Sequence, residues 1–280
     1  MMDRVLTGSL LLLLTTNAFC QAADAPDAAV EIARQERLKH ITERADSVEL
    51  RTADEKPRGL KRLDRPVLRY TNPIRSSSAG GATFLWLDGQ RPLAAASISI
   101  RDNNNVVWEF TSLANERLSA SHDDEVFWTP KGPGRRMELL PDSPAPAATP
   151  ALRLAQLRTL ARRFSVFVEK GKWQETRLLS QPLHRWDRPE AGILDGALFC
   201  FAETTDPEVL LLIEARRDEI TNKHEWHFTI AKMSGPTTKV ELDQKPLWNS
   251  GGGYWRSPRS LEDSYMESVI GTYSKDATTN

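Results

Sequence analysis

The chain has 280 residues, with 37 Lys or Arg and 38 Asp or Glu, which gives a formal net charge of −1. This balance argues against a protein that binds nucleic acid through a basic surface. With 40% hydrophobic and 27% charged residues, the composition is typical of a globular protein and excludes a disordered, collagen-like or multi-span membrane chain. The length corresponds to one or two domains.

The first 22 residues have the pattern of a secretory signal peptide. An apolar run over residues 5–19, which includes Leu10 to Leu14, precedes a stretch rich in alanine. This run is shorter than the ~20 residues that a helix needs to span a bilayer. We therefore expect an extracytoplasmic protein, periplasmic or secreted, with no integral membrane span after cleavage. A lipid anchor at Cys20 is the alternative, although lipoprotein signals carry a small residue where this chain has Phe19.

Cys200 is the one cysteine that remains after removal of the leader, so the exported chain cannot form an internal disulfide. Its stability must then come from a packed core, which a chain of this length can bury. The neighbours of Cys200, residues 198–202, are apolar apart from the cysteine itself. This setting favours a buried, unreactive thiol over a catalytic nucleophile.

Two parts of the chain are similar to each other at an offset of about 116 residues. The aligned stretches are residues 63–73 with 179–189, residues 81–101 with 196–216, and residues 108–111 with 226–229. The offset changes in polar stretches that have turn chemistry. This pattern predicts an internal repeat that arose by tandem duplication.

Each copy contains segments in which apolar residues alternate as they do in strands. In the second copy Val209, Leu211 and Ile213 share one face, and in the first copy Ala94 and Ile98 do the same. Period two directs these faces toward a core. Short polar turns between consecutive segments predict an antiparallel meander.

A helix is predicted before each meander. In the second copy Thr149 can cap a helix that begins at Pro150, and Leu157 belongs to its apolar stripe. Arg153 lies opposite that stripe and is predicted to face solvent. In the first copy the helix is expected over residues 27–45.

These elements predict an α+β protein formed by tandem duplication, in which each copy is a helix packed on a curved antiparallel β-sheet (meander). A stretch rich in proline and alanine separates the two copies. The predicted parts are a signal peptide (1–22), a first α+β copy (27–140), a Pro/Ala linker (141–150), a second α+β copy (151–250) and a C-terminal tail (251–280).

Sequence segments of the second copy resemble a family of uncharacterised secreted bacterial proteins. The similar segments are residues 181–186, 192–199 and 205–216. The resemblance covers the second copy well and the first copy poorly. It implies export, and it transfers neither an activity nor a catalytic residue to this chain.

Motifs of several enzyme classes are absent from the sequence. It contains no phosphate-binding glycine loop, no nucleophile elbow and no zinc-protease helix. His224 and His227 are three residues apart on a predicted strand, so they point to opposite faces and are poorly placed to share a metal. Residues 122–125 lack the glycine and the downstream glutamate of a calcium loop and are interpreted as a solvated turn. We therefore predict no metal site and no cofactor.

Three polar residues of the second copy, His184, Asp187 and Asp195, have no equivalent in the first copy. A fourth, Glu190, lies in the same loop. A histidine with several carboxylates could perform general acid–base catalysis. The alternative interpretation is a polar loop in which Asp195 and Gly196 form a turn.

Arginines occur at matching positions of both copies, as Arg69 and Arg185 and as Arg101 and Arg216. Residues kept in both copies are most simply explained by a structural role, such as an ion pair across strands. The alternative is that Arg185 orients a substrate beside His184.

Two functions are compatible with these features. The first is an exported, non-catalytic envelope or secreted module that binds an unknown partner, and the absence of strong catalytic motifs favours it. The second is an extracytoplasmic hydrolase of unknown substrate that uses the region of His184. A nucleic-acid partner is not expected in either case.

Overall fold

The computed structural model describes residues 28–70, 80–251 and 260–274. The predicted signal peptide and its alternative lipidation site, Cys20, lie outside these residues. Strands make up 52% and helices 14% of the structure. None of the helices in the described part of the chain is long and apolar enough to cross a membrane.

Both α-helices begin close to their predicted positions. They are α1 (Ala28–Asp46) and α2 (Pro150–Ala161). A short 3₁₀ helix, η1 (Pro189–Ala191), was not predicted. Thr149 caps α2 as predicted, because its hydroxyl accepts a hydrogen bond from the Leu152 amide, and Pro150 occupies the first turn.

The described residues between the two α-helices form nine strands. They are β1 (Val48–Thr52), β2 (Lys61–Arg62), β3 (Leu68–Tyr70), β4 (Gly80–Asp88), β5 (Arg91–Ile100), β6 (Asn105–Ser112), β7 (Leu118–His122), β8 (Glu125–Trp128) and β9 (Arg135–Leu139). The strands after α2 are β10 (Phe164–Glu169), β11 (Trp173–Glu175), β12 (Arg177–Leu178), β13 (His184–Arg188), β14 (Ile193–Glu203), β15 (Asp206–Arg217), β16 (His224–Lys232), β17 (Thr238–Leu242), β18 (Lys245–Asn249) and β19 (Tyr265–Thr272).

These strands form four antiparallel sheets, which confirms the predicted antiparallel pairing. The first large sheet has the order β19-β6-β5-β4-β2, and β3 also pairs with β4. The second large sheet has the order β12-β14-β15-β16-β9, and β13 also pairs with β14. The first small sheet is β1-β7-β8, and the second is β11-β10-β17-β18.

The predicted α+β architecture, with one helix on one sheet in each of two tandem copies, is wrong. The protein is mostly β, and its two α-helices accompany several antiparallel sheets. The reason is that the central strands are covered on both faces: β5 is buried along its whole length, and β15 is buried from Pro207 to Ala215. A single helix covers one face of a sheet, so the other face needs a second sheet.

The two large sheets exchange edge strands. β9 precedes α2 in the chain but pairs with β16 of the second large sheet, where Leu139 is opposite His227. β19 lies in the segment predicted as a C-terminal tail and pairs with β6 of the first large sheet, where Ser268 is opposite Trp108. Each large sheet therefore contains a strand from the other half of the chain.

One hydrophobic cluster lies on the outer face of each large sheet. In the first large sheet, Trp86, Trp108 and Phe110 pack with residues of α1 and of the first small sheet. In the second, Phe199 and Trp226 pack with residues of α2 and of the second small sheet. The alternating residues that were predicted to face a core, Ala94 and Ile98 in β5 and Val209, Leu211 and Ile213 in β15, belong to these two clusters.

A third cluster joins the inner faces of the two large sheets, and we call it the inter-sheet core. It contains Leu85 and Ala95 from the first large sheet with Leu198, Leu210 and Leu212 from the second. The residues of β14 and β15 that alternate with the outer-face residues thus pack against the other sheet. The predicted arrangement of one helix on each sheet assigned no partner to this face.

Candidate functional site

The inter-sheet core ends in a buried ion pair between the two halves of the chain. Arg91 of β5 donates from Nε to Oε1 of Glu214 over 2.8 Å and from Nη2 to Oε2 over 3.0 Å. Glu214 lies on β15, its side chain is 2% exposed, and Trp186 Nε1 donates to its Oε1 over 3.2 Å. Burial raises the pKa of this carboxyl, but the charge and hydrogen bonds of Arg91 outweigh burial and lower the pKa.

A second group of charges at this junction surrounds Asp88, at the turn between β4 and β5. Arg58 Nη1 donates to Asp88 Oδ2 over 2.9 Å, and Arg188 Nη1 donates to the same oxygen over 3.0 Å. Arg188 lies on β13 and also donates from Nε to Glu190 Oε1 over 2.9 Å. The Asp88 carboxylate thus connects the first large sheet to β13 of the second through charge-assisted hydrogen bonds, which are stronger than hydrogen bonds between neutral groups.

His184 contacts the same turn. Its Nε2 lies 2.9 Å from the carbonyl oxygen of Gln90, and its ring is stacked near Trp186 with 5.8 Å between centroids. A carbonyl oxygen only accepts, so this contact requires the proton on Nε2. The His184 ring therefore holds the turn, and Nε2 is not available as a base in this arrangement.

Asp195 lies on the other face of the second large sheet, below α2. Arg153 Nε donates to its Oδ2 over 2.8 Å, and Arg185 donates to both oxygens, from Nε over 2.9 Å and from Nη2 over 2.6 Å. Arg185 Nη2 also donates to the carbonyl of Pro150. Asp195 is inside β14, so the predicted turn is not formed there, and its carboxylate instead fixes the start of α2.

The structure therefore does not bring the four candidate residues into one site. His184 is opposite Leu198, which packs in the inter-sheet core, whereas Asp195 is buried on the α2 side. Asp187 and Glu190 are exposed. A histidine and a carboxylate on opposite faces of a sheet cannot act on the same bond.

The arginines at matching positions have different surroundings. Arg185 binds Asp195, and Arg101 Nη2 donates to Glu267 Oε1 of β19 over 2.6 Å. Arg216 Nη1 lies 3.5 Å from Glu214 Oε2. Arg69 is exposed and makes no ion pair within the described ranges. Three of these arginines therefore contact carboxylates, but they do not do so at equivalent places.

A cavity of about 260 Å³ opens at the junction beside the buried ion pair, and we call it the junction cavity. Four arginines and two acidic residues line it: Arg58, Arg91, Arg188, Arg216, Asp88 and Glu116. Both halves of the chain contribute to this wall. Asn115 and the apolar side chains of Leu93, Met137 and Ile193 complete it.

A second polar cluster lies where β19 joins the first large sheet. Tyr265 Oη donates to Glu109 Oε1 over 2.5 Å. Burial raises the pKa of Glu109 to about 8, and the nearby carboxylates of Glu267 and Asp206 add to this effect. A proton on Glu109 near neutral pH therefore reduces charge repulsion in this cluster.

Neither a reactive cysteine nor a metal-binding cluster is found among the described residues. Cys200 is buried, and burial raises the pKa of its thiol, which disfavours the reactive thiolate. No group of three or more histidine, cysteine or acidic side chains within the described residues could hold a metal ion. His224 and His227 lie on β16, as predicted, and residues 122–125 include a turn with positive φ at Asp123.

Three buried, ion-paired residues, Arg153, Arg91 and Glu214, were not among the predicted candidates. Arg153 is 6% exposed although it was predicted to face solvent, because its guanidinium reaches Asp195 under α2. Glu214 and Arg91 were not singled out at all. Glu214 does carry a signal in the sequence, since it interrupts the apolar run of β15, and a charge inside such a strand must be paired.

Comparisons with protein-family models, with curated proteins and with solved structures found no match to this chain. The arrangement of charges at the junction of the two large sheets, and not a relative, is therefore the basis for assigning a role.

Proposed function

We propose that this chain is an exported, non-catalytic module that binds a partner outside the cytoplasm. The observation that carries the proposal is the separation of the acid–base candidates: His184 faces the inter-sheet core and Asp195 faces α2. Each also has a structural partner, Gln90 for His184 and two arginines for Asp195. Export rests on the predicted leader.

The charges at the junction support binding over catalysis. Asp88 and Glu214 are held by Arg58, Arg188 and Arg91 at hydrogen-bond distances. A carboxylate held by guanidinium groups is a poor general base, because its negative charge is stabilised. The arginines that line the junction cavity nevertheless keep guanidinium N–H groups without a protein acceptor among the described residues, which suits recognition of a ligand.

Two measurements test this proposal. N-terminal sequencing of the protein recovered outside the cytoplasm is expected to give a start just after residue 22, and retention of the full-length chain in the cytoplasm would contradict export.

The second measurement follows hydrolysis of peptides, polysaccharides and esters by the purified mature protein and by the variant His184→Ala. No turnover above a buffer blank is expected from either protein. Turnover by the wild type that His184→Ala abolishes, while its melting temperature stays within a few degrees, would establish the hydrolase instead.

A further inference from the structure

We propose that the junction cavity binds a small organic anion through a carboxylate or phosphate group. This inference rests on the proposed binding role and names the class of ligand. The cavity, of about 260 Å³, is close to the lower end of the ~300–1,000 Å³ typical of small-molecule sites. It therefore has room for a compact molecule and not for a polymer segment.

Guanidinium groups outnumber carboxylates in the wall itself. Four guanidinium groups line the cavity against two carboxylates, those of Asp88 and Glu116. Three further carboxylates pair with these arginines from outside the wall: Glu214 with Arg91, Glu190 with Arg188, and Asp54 with Arg58. Glu190 and Asp54 have exposed side chains, where water screens their charges, so an anion inside the cavity interacts mainly with the lining guanidinium groups.

Several donors of the wall are not used within the protein. Arg91 has a side chain that is 9% exposed, and its Nε and Nη2 bind Glu214, but Nη1 has no hydrogen-bond partner among the described residues. Arg188 uses Nε and Nη1, which leaves Nη2. Arg216 approaches Glu214 only at 3.5 Å. Guanidinium groups with free edges match the planar oxygens of carboxylate and phosphate groups.

Asn115 adds a neutral donor to the same wall. Its Oδ1 accepts a hydrogen bond from the Met137 amide over 3.2 Å, which fixes the orientation of the side chain. Nδ2 has no hydrogen-bond partner within the described part of the chain and is available to a ligand. The Asn115 side chain therefore also favours a ligand with hydrogen-bond acceptors, and this preference does not depend on the charge of the ligand.

The remaining wall is apolar and is built on rigid elements. Leu93 and Ile193 are 2% and 1% exposed, and Met137 completes the apolar side of the cavity. Such a surface favours an organic body over a fully hydrated inorganic ion. The predicted ligand therefore combines an oxyanion with a short apolar portion.

The test is calorimetric titration of the mature protein at constant ionic strength with four probes: succinate, phenyl phosphate, inorganic phosphate and the neutral analogue succinamide. Succinate or phenyl phosphate is expected to bind at a single site more tightly than inorganic phosphate, and succinamide is expected not to bind. The preferred anion identifies the group as a carboxylate or a phosphate. Equal heats from succinate and succinamide would overturn the inference.

Two variants locate the site. Arg216→Gln removes one guanidinium and is expected to weaken binding about tenfold. Asn115→Asp keeps the acceptor for the Met137 amide but replaces the donor with a negative charge, so a larger loss is expected. Arg217→Gln is the matched control, because Arg217 is the next residue of β15 and does not line the cavity.

The outcomes separate this inference from the proposed function. Binding that both cavity variants leave unchanged, or that Arg217→Gln weakens equally, would overturn the site. Absence of binding and of turnover would overturn the anion site and leave the non-catalytic role intact. Release of phenol from phenyl phosphate would contradict the non-catalytic role while supporting the site.

Discussion

The buried ion pair between Arg91 and Glu214 allows a quantitative prediction about what holds the two large sheets together. Replacement of Arg91 by Met removes both charge-assisted hydrogen bonds to a carboxylate that is 2% exposed. Removal of one partner of a buried pair costs about 3–5 kcal/mol. Glu214 keeps the hydrogen bond from Trp186 and the nearby charge of Arg216, so we expect a loss near the lower end, about 3 kcal/mol.

The pH dependence of this loss has a definite sign. In the wild type the pKa of Glu214 is lowered, so its ion pair stabilises the fold above the ordinary carboxyl pKa and is lost as the pH falls. Without Arg91, burial dominates and raises the pKa of Glu214. The fold is then destabilised by the unpaired carboxylate at pH values above the ordinary carboxyl pKa. The difference between wild type and Arg91→Met is therefore expected to shrink as the pH is lowered toward about 4.

Urea unfolding followed by tryptophan fluorescence measures both effects. At a chain of this size, a loss of about 3 kcal/mol also corresponds to a melting temperature lower by about 6–12 °C. The double variant Arg91→Met/Glu214→Gln keeps an acceptor for Trp186 without the unpaired charge, and we expect it to recover at least about half of the loss. A single-variant loss below about 1 kcal/mol, or a double variant no more stable than Arg91→Met, would refute the reasoning.

Three further predictions concern other parts of the fold. A Cβ at Gly196 would overlap the indole of Trp186, so Gly196→Ala is expected to cost about 1–3 kcal/mol, whereas Gly59→Ala, which meets no atom within 4 Å, should melt close to wild type. The raised pKa of Glu109, about 8, means that stability falls as the pH rises from about 4.5 to 8. Glu109→Gln should abolish that fall and be more stable than wild type at pH 9, as urea midpoints at two pH values will show. Thr149→Ala should lower stability by about 0.5–1 kcal/mol in urea unfolding, through loss of the α2 cap.

Local elements could be predicted from the sequence because their signals are local. The alternation in β15 and the Thr149–Pro150 start of α2 were both correctly interpreted. The number of layers could not be predicted in the same way, because alternation identifies one apolar face and does not say what covers the other. In β15 the second face, with Leu210 and Leu212, is also apolar, and this was the available indication that a second sheet packs there.

The candidate site was harder to predict than the strands. The candidates were selected mainly as polar residues of the second copy without an equivalent in the first, but His184 and Asp195 lie on strands, where neighbouring positions face opposite sides of the sheet. The ion pair of Arg91 and Glu214 joins residues 123 positions apart in the chain. Pairing at that separation depends on the packing of the sheets, which a single sequence does not specify.

The exchange of edge strands makes the junction depend on both halves of the chain. β9 covers the edge of β16, and β19 covers the edge of β6, so each large sheet is closed on that side by a strand from the other half. Neither half contains a complete large sheet, and Arg91 has its carboxylate partner only when both are folded. The wall of the junction cavity therefore forms as a consequence of folding of the whole chain, which makes a ligand bound there stabilise both halves together.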